Sequence, residues 1–347
     1  MNAKNKLQIY LVTYNRKKKF HETLDTILAS NSPIKDFDIT ILDNASTDGT
    51  SELIQEYCSK FPNIKHIRHN VNIGGNANIC RAFEIGASCS KDFFWVLCDD
   101  DKYDFSNWNE VEQRIEANDD IICVCDYICD TNEKKHNLAH QIFQLTFVPA
   151  GIYKSSLITD DVLINMYDAI ITMFQQSVIC IKSINEHKKI HVLSKPIVFN
   201  GLHFEDKVEI ASLSYTRGTS EKWTLERRDK TLWIYGFANI LSLLKNTQLK
   251  HECMEIAIPY KDIFNSWNNF NNVMYNHYIN TGYEHYFKEI YNILPPKRQE
   301  YFNQKENIQK LKIKNLIQKI FSLKNAPNGI HKIITILGIK IQLKYKN

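Results

Sequence analysis

The nine cysteines of this chain do not form a single C-x-x-C pair. Zinc sites usually draw their ligands from such closely spaced pairs, so the sequence gives little support for a zinc domain. The densest group, Cys123, Cys125 and Cys129, lies in an apolar run where alternate positions share one face of a strand. We therefore interpret the cysteines as reduced residues of a protein core.

Long apolar runs are also missing. No stretch reaches the roughly 18 uncharged apolar residues that a membrane-spanning helix needs. The apolar run 7–12 is too short for the hydrophobic part of a secretory signal peptide. We therefore expect a cytoplasmic protein.

Glycine is scarce, with 11 glycines in 347 residues, and no G-x-G-x-x-G segment occurs. The sequence thus lacks the usual fingerprint of a dinucleotide site. The length nevertheless allows a substantial core, and 44% hydrophobic with 24% charged residues is an ordinary globular balance.

Positive charge is concentrated at one end of the chain. The net charge is +4, but residues 297–347 hold twelve lysines and arginines against two acidic residues. The rest of the chain is therefore net acidic, and a partner of the basic charge is to be sought at the C-terminal tail.

The first hundred residues alternate short apolar runs with helical patterns. The apolar runs predict strands at 7–13, 37–43, 64–69 and 93–98, and the helical patterns lie at 20–30, 50–60 and 76–88. Such alternation predicts an α/β fold with a mostly parallel sheet flanked by helices, in which ligands bind beyond the carboxyl ends of the strands.

Polar residues follow each of these four strands. The third is followed by Gly74-Gly75, which allows a close approach of the backbone to a ligand. Thr13 and Asp43 end neighbouring strands, so a hydroxyl and a carboxylate can meet one edge of a nucleobase. Asn76 fits a helix cap better than a ligand contact.

The triplet Asp99-Asp100-Asp101 follows the fourth strand. Three adjacent carboxylates repel one another unless a cation compensates their charge. Oxygen ligands suit Mg²⁺ or Mn²⁺, which keep positions open for substrate phosphates. The spacing predicts that Asp99 and Asp101 face a metal while Asp100 turns aside.

In order and spacing these motifs resemble the successive motifs of family 2 bacterial glycosyltransferases. The resemblance covers residues 7–104 and rests on Thr13-Tyr14-Asn15, on Asp43-Asn44-x-Ser46-x-Asp48-Gly49-Thr50, on Asn72-x-Gly74-Gly75-x-x-Asn78 and on Asp99-x-Asp101. It implies a GT-A fold, a divalent metal and an inverting transfer from a nucleoside-diphosphate sugar, with uracil a frequent base.

The resemblance also implies the residues of the donor site. Those expected to bind the nucleotide sugar are Thr13, Tyr14, Asn15, Arg16, Asp43, Asn44, Ser46, Asp48, Asn72, Gly74, Gly75, Asn78, Asp99 and Asp100. Those expected to bind the metal are Asp99 and Asp101. His203 is a further candidate ligand that the residues themselves suggest, with an ordinary surface histidine as the alternative.

An inverting reaction needs a base that deprotonates the acceptor hydroxyl. The family usually takes it from a carboxylate at the start of a helix beyond the D-x-D motif. Asp161 and Asp168 are the leading candidates, with Asp160, Glu205 and Asp206 as alternatives. Carboxylates at a helix start are also ordinary capping residues.

Three regions follow from this pattern. Residues 1–215 form the expected GT-A catalytic domain, with a nucleotide-sugar half up to about residue 104 and an acceptor half beyond it. Residues 216–300 are an expected helical accessory region, and residues 301–347 a basic tail. The tail resembles the endings of capsule and lipopolysaccharide glycosyltransferases, which implies a saccharide or lipid-linked acceptor.

Within the tail, residues 308–323 mix isoleucine and leucine with lysine as an imperfect amphipathic helix. Basic segments gain free energy near an anionic membrane, so peripheral binding at the inner membrane is expected. An ordinary solvated helix remains the alternative.

Three other functions compete with glycosyl transfer. A sugar nucleotidyltransferase normally has a glycine-rich phosphate loop after its first strand, whereas 13–19 contains no glycine. A non-catalytic GT-A-like interaction protein is disfavoured by the intact Asp99 and Asp101. A nucleic-acid partner is not expected, since no recognised motif accompanies the basic tail.

Overall fold

The computed structural model describes residues 3–125, 137–199 and 233–260, and short stretches between 292 and 344. The chain divides into two compact units, Met1–Ile293 and Leu294–Asn347.

A seven-stranded sheet organises the first unit. Its strands are β1 (Leu7–Thr13), β2 (Ile39–Asp43), β3 (Ile64–Arg68), β4 (Phe93–Cys98), β6 (Ile121–Cys123), β7 (Gly151–Lys154) and β8 (Ile190–Val192), and β5 (Lys102–Tyr103) pairs separately with β9 (Val198–Phe199). The order across the sheet is β3-β2-β1-β4-β7-β6-β8. All neighbours are parallel except β7, which is antiparallel to both β4 and β6.

Helices flank this sheet. They are α1 (Ala3–Lys6), α2 (Lys17–Ile27), α3 (Thr50–Lys60), α4 (Gly75–Ala87), α5 (Trp108–Glu116), α6 (Leu138–Gln144), α7 (Asp160–Asp168), α8 (Ser177–Asn185), α9 (Trp233–Leu241) and α10 (Thr247–Tyr260). The prediction of a mostly parallel sheet flanked by helices is confirmed, and β1, α3 and β4 have the predicted bounds.

Beyond β4 the structure differs from the sequence pattern in two places. The apolar run 191–199 predicts one strand, but these residues form the end of β8 and, six residues later, β9 in another sheet. The pattern also did not reveal β7, which spans four residues and begins directly after Pro149-Ala150.

The core lies on both sides of the central strands. Ile9 of β1 and Trp95 of β4 are fully buried on one face, and Phe94 and Val96 of β4 are fully buried on the other. The Trp95 indole N–H donates to the Pro149 carbonyl at 2.8 Å, so this large side chain is buried without an unpaired donor. These contacts fix β4, whose carboxyl end carries the acidic triplet.

The helices α9 and α10 pack within the first unit. Phe237 of α9 meets Phe143 and Phe174 edge to face, and Gly236 lies against the backbone of Thr172. The helical segment predicted as accessory therefore supports the segment 169–176 of the catalytic unit directly.

The second unit contains an antiparallel sheet of β10 (Phe321–Asn325), β11 (His331–Ile336) and β12 (Ile339–Lys344). The predicted helix 308–323 is wrong at residues 321–323, which belong to β10, and its remainder lies outside the described residues. The register places Lys324, Lys340 and Lys344 on one face of the sheet. Mainly isoleucine, leucine and phenylalanine positions occupy the other face.

Among the described helices, none has both the length and the apolar character needed to cross a membrane.

Candidate active site

The predicted convergence at the carboxyl edge of the sheet is present. Thr13 of β1 pairs with Asp43 of β2, and Val12 pairs with Cys98, the last residue of β4. The loops after β1, β2 and β4 therefore meet at the centre of the sheet, where parallel α/β folds bind ligands.

Asp99 lies inside this edge and is only 3% exposed. The Thr13 hydroxyl donates to its Oδ2 at 2.6 Å, and the Arg16 guanidinium contacts its Oδ1 at 2.9 Å. The Thr23 hydroxyl donates to the Asp99 backbone carbonyl at 3.1 Å. Burial raises the pKa of the Asp99 carboxyl above its ordinary value, while Arg16 opposes that rise.

Asp100 and Asp101, with Cys98, form the cluster that fits a divalent cation. Ligand atoms of these three residues all lie within 4.8 Å of one another. Burial and the neighbouring carboxylates raise the pKa of the Cys98 thiol well above its usual range, and a soft sulfur atom is in any case a poor match for a hard cation. Two carboxylates remain, and their hard oxygen atoms suit Mg²⁺ or Mn²⁺.

This arrangement differs from the predicted pair of Asp99 and Asp101. Asp99 is turned toward Thr13 and Arg16, and Asp100 takes its place beside Asp101. Arg16 also lies 2.7 Å from Asp100, so one guanidinium offsets the repulsion between two adjacent carboxylates. The third predicted metal residue, His203, lies outside the described residues.

Asp43 holds the β2 loop and is not exposed toward a nucleobase. Its side chain is fully buried, with Oδ1 accepting from the Ser46 N–H at 2.8 Å and Oδ2 from the Ser51 hydroxyl. Arg68 Nε lies 3.4 Å and His66 Nε2 3.7 Å from Oδ2. Burial disfavours the ionised form, but these partners outweigh it and lower the pKa of Asp43 to about 2. The predicted base contact therefore does not fit the Asp43 side chain, whose oxygens are used within the protein.

The loops after β1 and β2 are tied to each other. The Asn15 N–H donates to Ser46 Oγ at 2.9 Å, and the Thr47 N–H donates to Asn15 Oδ1 at 2.7 Å. Asp48 accepts from the backbone N–H groups of Lys17 and Thr50, each at 3.0 Å. Asp48 thus joins the starts of α2 and α3. Tyr14 and Asn15, which were also predicted to bind the donor, are half-buried.

A second set of bonds joins the loops after β2 and β3. Asn44 donates to Asn72 Oδ1 at 2.8 Å and accepts from the Ile73 N–H at 2.9 Å. Asn78 is 3% exposed, with Oδ1 2.9 Å from His69 Nε2, so it supports the loop rather than presenting a contact to a ligand.

Gly74 and Gly75 shape the entry to α4. Gly74 is the helix cap, with φ of 91° and ψ of 153°, a conformation that favours glycine, and a Cβ there would point into open space. No side chain caps this end of α4, so its first N–H groups face the carboxyl edge of the sheet, an arrangement that favours anions.

Comparisons with known proteins agree with this geometry. A family model described as "Glycosyl transferase family 2" matches residues 8–181, which is half of the chain and runs from β1 into α8. The chain belongs to this family. The family predicted from the sequence motifs is thereby confirmed.

Individual relatives match shorter stretches. The abequosyltransferase RfbV of Salmonella typhimurium is 32% identical over 123 residues, 35% of this chain and 34% of the relative. The chondroitin synthase of Escherichia coli is 34% identical over 92 residues, 25% of this chain and 13% of the relative. These matches span about a third or less of each relative's length.

Among solved structures, residues 1–349 of S. aureus TarS in complex with UDP-GlcNAc superpose with a TM-score of 0.56 and 14% identity. The superposition covers 99% of this chain and 100% of that chain. It confirms the GT-A fold of this family 2 glycosyltransferase.

The two leading candidates for the base of this glycosyltransferase lie at opposite ends of α7. The Ser155 N–H donates to the Asp92 carbonyl, which places the chain before α7 at the amino end of β4, away from the acidic triplet. Asp161, in the first turn of α7, is exposed and bonded to Lys182 at 2.7 Å, which lowers the pKa of its carboxyl. This position does not fit a catalytic base.

Asp168 ends α7 on the other side. Two residues later, the Ile170 carbonyl accepts from Asn76 Nδ2 at 2.7 Å, so this segment meets the amino end of α4 at the carboxyl edge of the sheet. Asp168 is exposed and lies at the edge where the donor residues converge. Glu205 and Asp206 lie outside the described residues.

The sequence pattern missed two groups at this edge of the glycosyltransferase. Thr23 lies in the middle of α2, where nothing marks it as a partner of the Asp99 backbone. Gln175 and Gln176 are fully buried before α8, in a stretch that the sequence suggests is part of one long helix. Two adjacent glutamines in an apolar stretch are the signal that was available.

Proposed function

We propose that this family 2 glycosyltransferase moves a sugar, with inversion at the anomeric carbon, from a UDP-linked donor to a saccharide or lipid-linked acceptor in surface polysaccharide assembly. The observation that carries the proposal is the meeting of Arg16, Asp99, Asp100 and Asp101 at the carboxyl edge of β1 and β4. The relatives support the reaction class, since RfbV and chondroitin synthase are named for glycan chemistry. The TarS complex makes UDP the first nucleotide to test.

Asp100 and Asp101 would hold Mg²⁺ or Mn²⁺, which supplies charge neutralisation at the departing diphosphate. Arg16 and Thr13 hold Asp99 in place behind them. The uncapped first turn of α4 offers backbone N–H groups that favour the same negative charge.

Asp168 is the proposed base. Its carboxylate takes the proton of the acceptor hydroxyl while that oxygen bonds to the anomeric carbon. The bond from this carbon to the diphosphate oxygen breaks, and its electron pair leaves with the diphosphate. Attack from the side opposite the leaving group inverts the configuration.

A nucleotide screen tests the proposal. Thermal unfolding is measured with UDP, CDP, GDP and dTDP, each with and without Mn²⁺. We expect one diphosphate to raise the unfolding midpoint selectively and Mn²⁺ to strengthen the rise, because a ligand that binds only the folded state stabilises it by about 2.7 kcal/mol at 100 times its Kd. Equal midpoints for all four diphosphates would contradict the function.

We further propose that the second unit binds the anionic cytoplasmic face of the inner membrane. Support comes from the excess of basic residues in 297–347 and from the face of the C-terminal sheet that carries Lys324, Lys340 and Lys344. Each basic residue near an anionic surface contributes about 1 kcal/mol to binding. At 0.1 M salt the attraction falls off within about 10 Å of the surface, and it weakens further as the salt concentration rises.

Sedimentation with liposomes of phosphatidylglycerol and phosphatidylcholine tests this membrane contact. We expect the protein to pellet at low salt and to be released at high salt. Replacing Lys324, Lys340 and Lys344 together with glutamine should release it at low salt while nucleotide binding is retained. Wild-type protein that stays in the supernatant at low salt would contradict the contact.

A further inference from the structure

The side-chain amides of Asn76 and Gln175 both lie at the amino end of α4. Asn76 donates through Nδ2 to the Ile170 carbonyl at 2.7 Å, and Gln175 directs Nε2 toward the Asn76 carbonyl at 3.5 Å. Gln175 is fully buried. Asn76 Oδ1 and Gln175 Oε1 are both buried, and neither has a hydrogen-bond partner in the described part of the chain. Each amide is thus oriented through its nitrogen, while its oxygen has an unused capacity to accept a hydrogen bond.

The surroundings of this pair belong to the proposed active site. Asn76 follows Gly74-Gly75, and its partner Ile170 lies two residues after Asp168. The pair therefore lies where the donor residues and the proposed base meet. Buried polar atoms without partners are uncommon in folded proteins, and when they occur at a binding edge they point to a ligand.

The chemistry of the pair selects the ligand class. The first turn of α4 offers N–H donors, and the two amide oxygens offer acceptors. A hydroxyl group both donates and accepts a hydrogen bond, so it satisfies both kinds of partner. Phosphate oxygens at neutral pH mainly accept and would leave the amide oxygens unpaired.

The segment that carries Gln175 is held rigidly. The Thr172 hydroxyl donates to the Ala169 carbonyl at 2.6 Å and accepts from the Phe174 N–H at 3.1 Å. Met173 adopts a φ of 70°, and Gly236 of α9 lies against the Thr172 backbone. Residues other than glycine adopt this left-handed conformation only where the surrounding structure holds them in it. Segments held in this way are typical of preorganised binding sites.

We propose that Asn76 and Gln175 form a subsite that binds hydroxyl groups of a sugar ring, and that this pair contributes to sugar selection. The proposal rests on the function proposed above and extends it to the ring itself. The sugar is either the ring attached to the donor diphosphate or the terminal ring of the acceptor.

The variant Gln175→Met tests the subsite, with Gln144→Met as its matched control. Gln144 is also a buried glutamine, but its Oε1 accepts from the Cys123 thiol at 3.4 Å. Calorimetry compares the Kd of the diphosphate selected in the screen with the Kd of its glucose, galactose and N-acetylglucosamine conjugates. Millimolar methyl glycosides of the same sugars, added to the diphosphate complex, represent the acceptor.

For Gln175→Met we expect an unchanged diphosphate Kd and a loss of about 10-fold in the affinity for the sugar, because the ring hydroxyl loses its acceptor. A loss seen with conjugates assigns the subsite to the donor ring, and a loss seen with methyl glycosides assigns it to the acceptor. The unfolding midpoint of the free protein should change little, because the substitution removes both an unpaired buried carbonyl and one long hydrogen bond to the Asn76 carbonyl. Gln144→Met should lower the midpoint and leave sugar affinity unchanged.

Two results would overturn the subsite. One is a Gln175→Met protein that keeps the wild-type affinity for every conjugate and glycoside. The other is a midpoint that falls as far as in Gln144→Met, since that would make Gln175 a structural residue. If no diphosphate binds the wild type, the proposed function itself fails, which is a different outcome.

Discussion

Asp101→Asn is expected to lower the rate of sugar transfer by roughly 100-fold or more, the size of effect seen when one charge-stabilising group is removed from an active site. Asparagine preserves the shape of the side chain but removes the negative charge that holds a divalent cation beside Asp100. The measurement is the initial rate of diphosphate release over a Mn²⁺ titration, together with nucleotide affinity with and without the metal. The fold should persist, so the far-UV circular dichroism spectrum should not change.

Asp104→Asn is the matched control, because Asp104 lies three residues after Asp101, beyond β5, and its carboxylate accepts from the Ser106 N–H at 2.9 Å. An asparagine can accept the same bond, so transfer should be retained. Asp168→Asn supplies a contrasting case: it should abolish transfer while nucleotide binding keeps its full response to Mn²⁺. If Asp101→Asn retained wild-type rates at every metal concentration, the acidic cluster would have no role in catalysis.

Gly236→Ala is expected to lower the free energy of unfolding by about 3 kcal/mol, the upper part of the usual range for overpacked cores. A Cβ on Gly236 would lie 1.9 Å from the Thr172 carbonyl oxygen and 2.7 Å from its carbonyl carbon. Neither atom belongs to a flexible side chain, so α9 or the segment 169–176 must move. Urea unfolding measures the loss, and transfer should fall in the same variant because that segment leads from Asp168 to Gln175.

Asn239→Ala provides the control for this change, since Asn239 lies one turn further along α9 and is half-buried. It introduces the same residue type without a close backbone contact, so its free energy of unfolding in urea should stay near the wild-type value. Wild-type stability in Gly236→Ala would show that α9 does not press on Thr172 as the structure describes.

The sheet and the position of the site could be predicted from the sequence because the signals are local. The strands β1, β2 and β4 are short apolar runs, and the polar residues at their carboxyl ends fall at one edge by the geometry of parallel sheets. This reasoning brought Thr13, Asp43 and Asp99 together correctly.

The direction in which each carboxylate turns could not be predicted in this way. Asp43 is buried because Ser51, His66 and Arg68 surround it, and those partners come from α3 and β3. Asp99 rather than Asp100 faces inward because the hydroxyls of Thr13 in β1 and Thr23 in α2 donate to it. Such contacts depend on tertiary packing. The sequence also did not reveal β7, because its three buried residues and one half-buried lysine lie between two short 3-10 helices and carry no periodic pattern.

The placement of β7 affects how the sheet can fold while the chain is being synthesised on the ribosome. The strands β1 to β4 are synthesised within the first 98 residues and lie side by side, so this half of the sheet can form early. The edge of β4 then has no partner strand until residues 151–154 emerge. Because β7 lies between β4 and β6, β6 cannot join the sheet before β7 does. Through that interval the nascent chain presents an unpaired, apolar strand edge, which is a template for pairing with other chains. Synthesis through this interval is therefore the stage at which chaperone protection matters most for this fold.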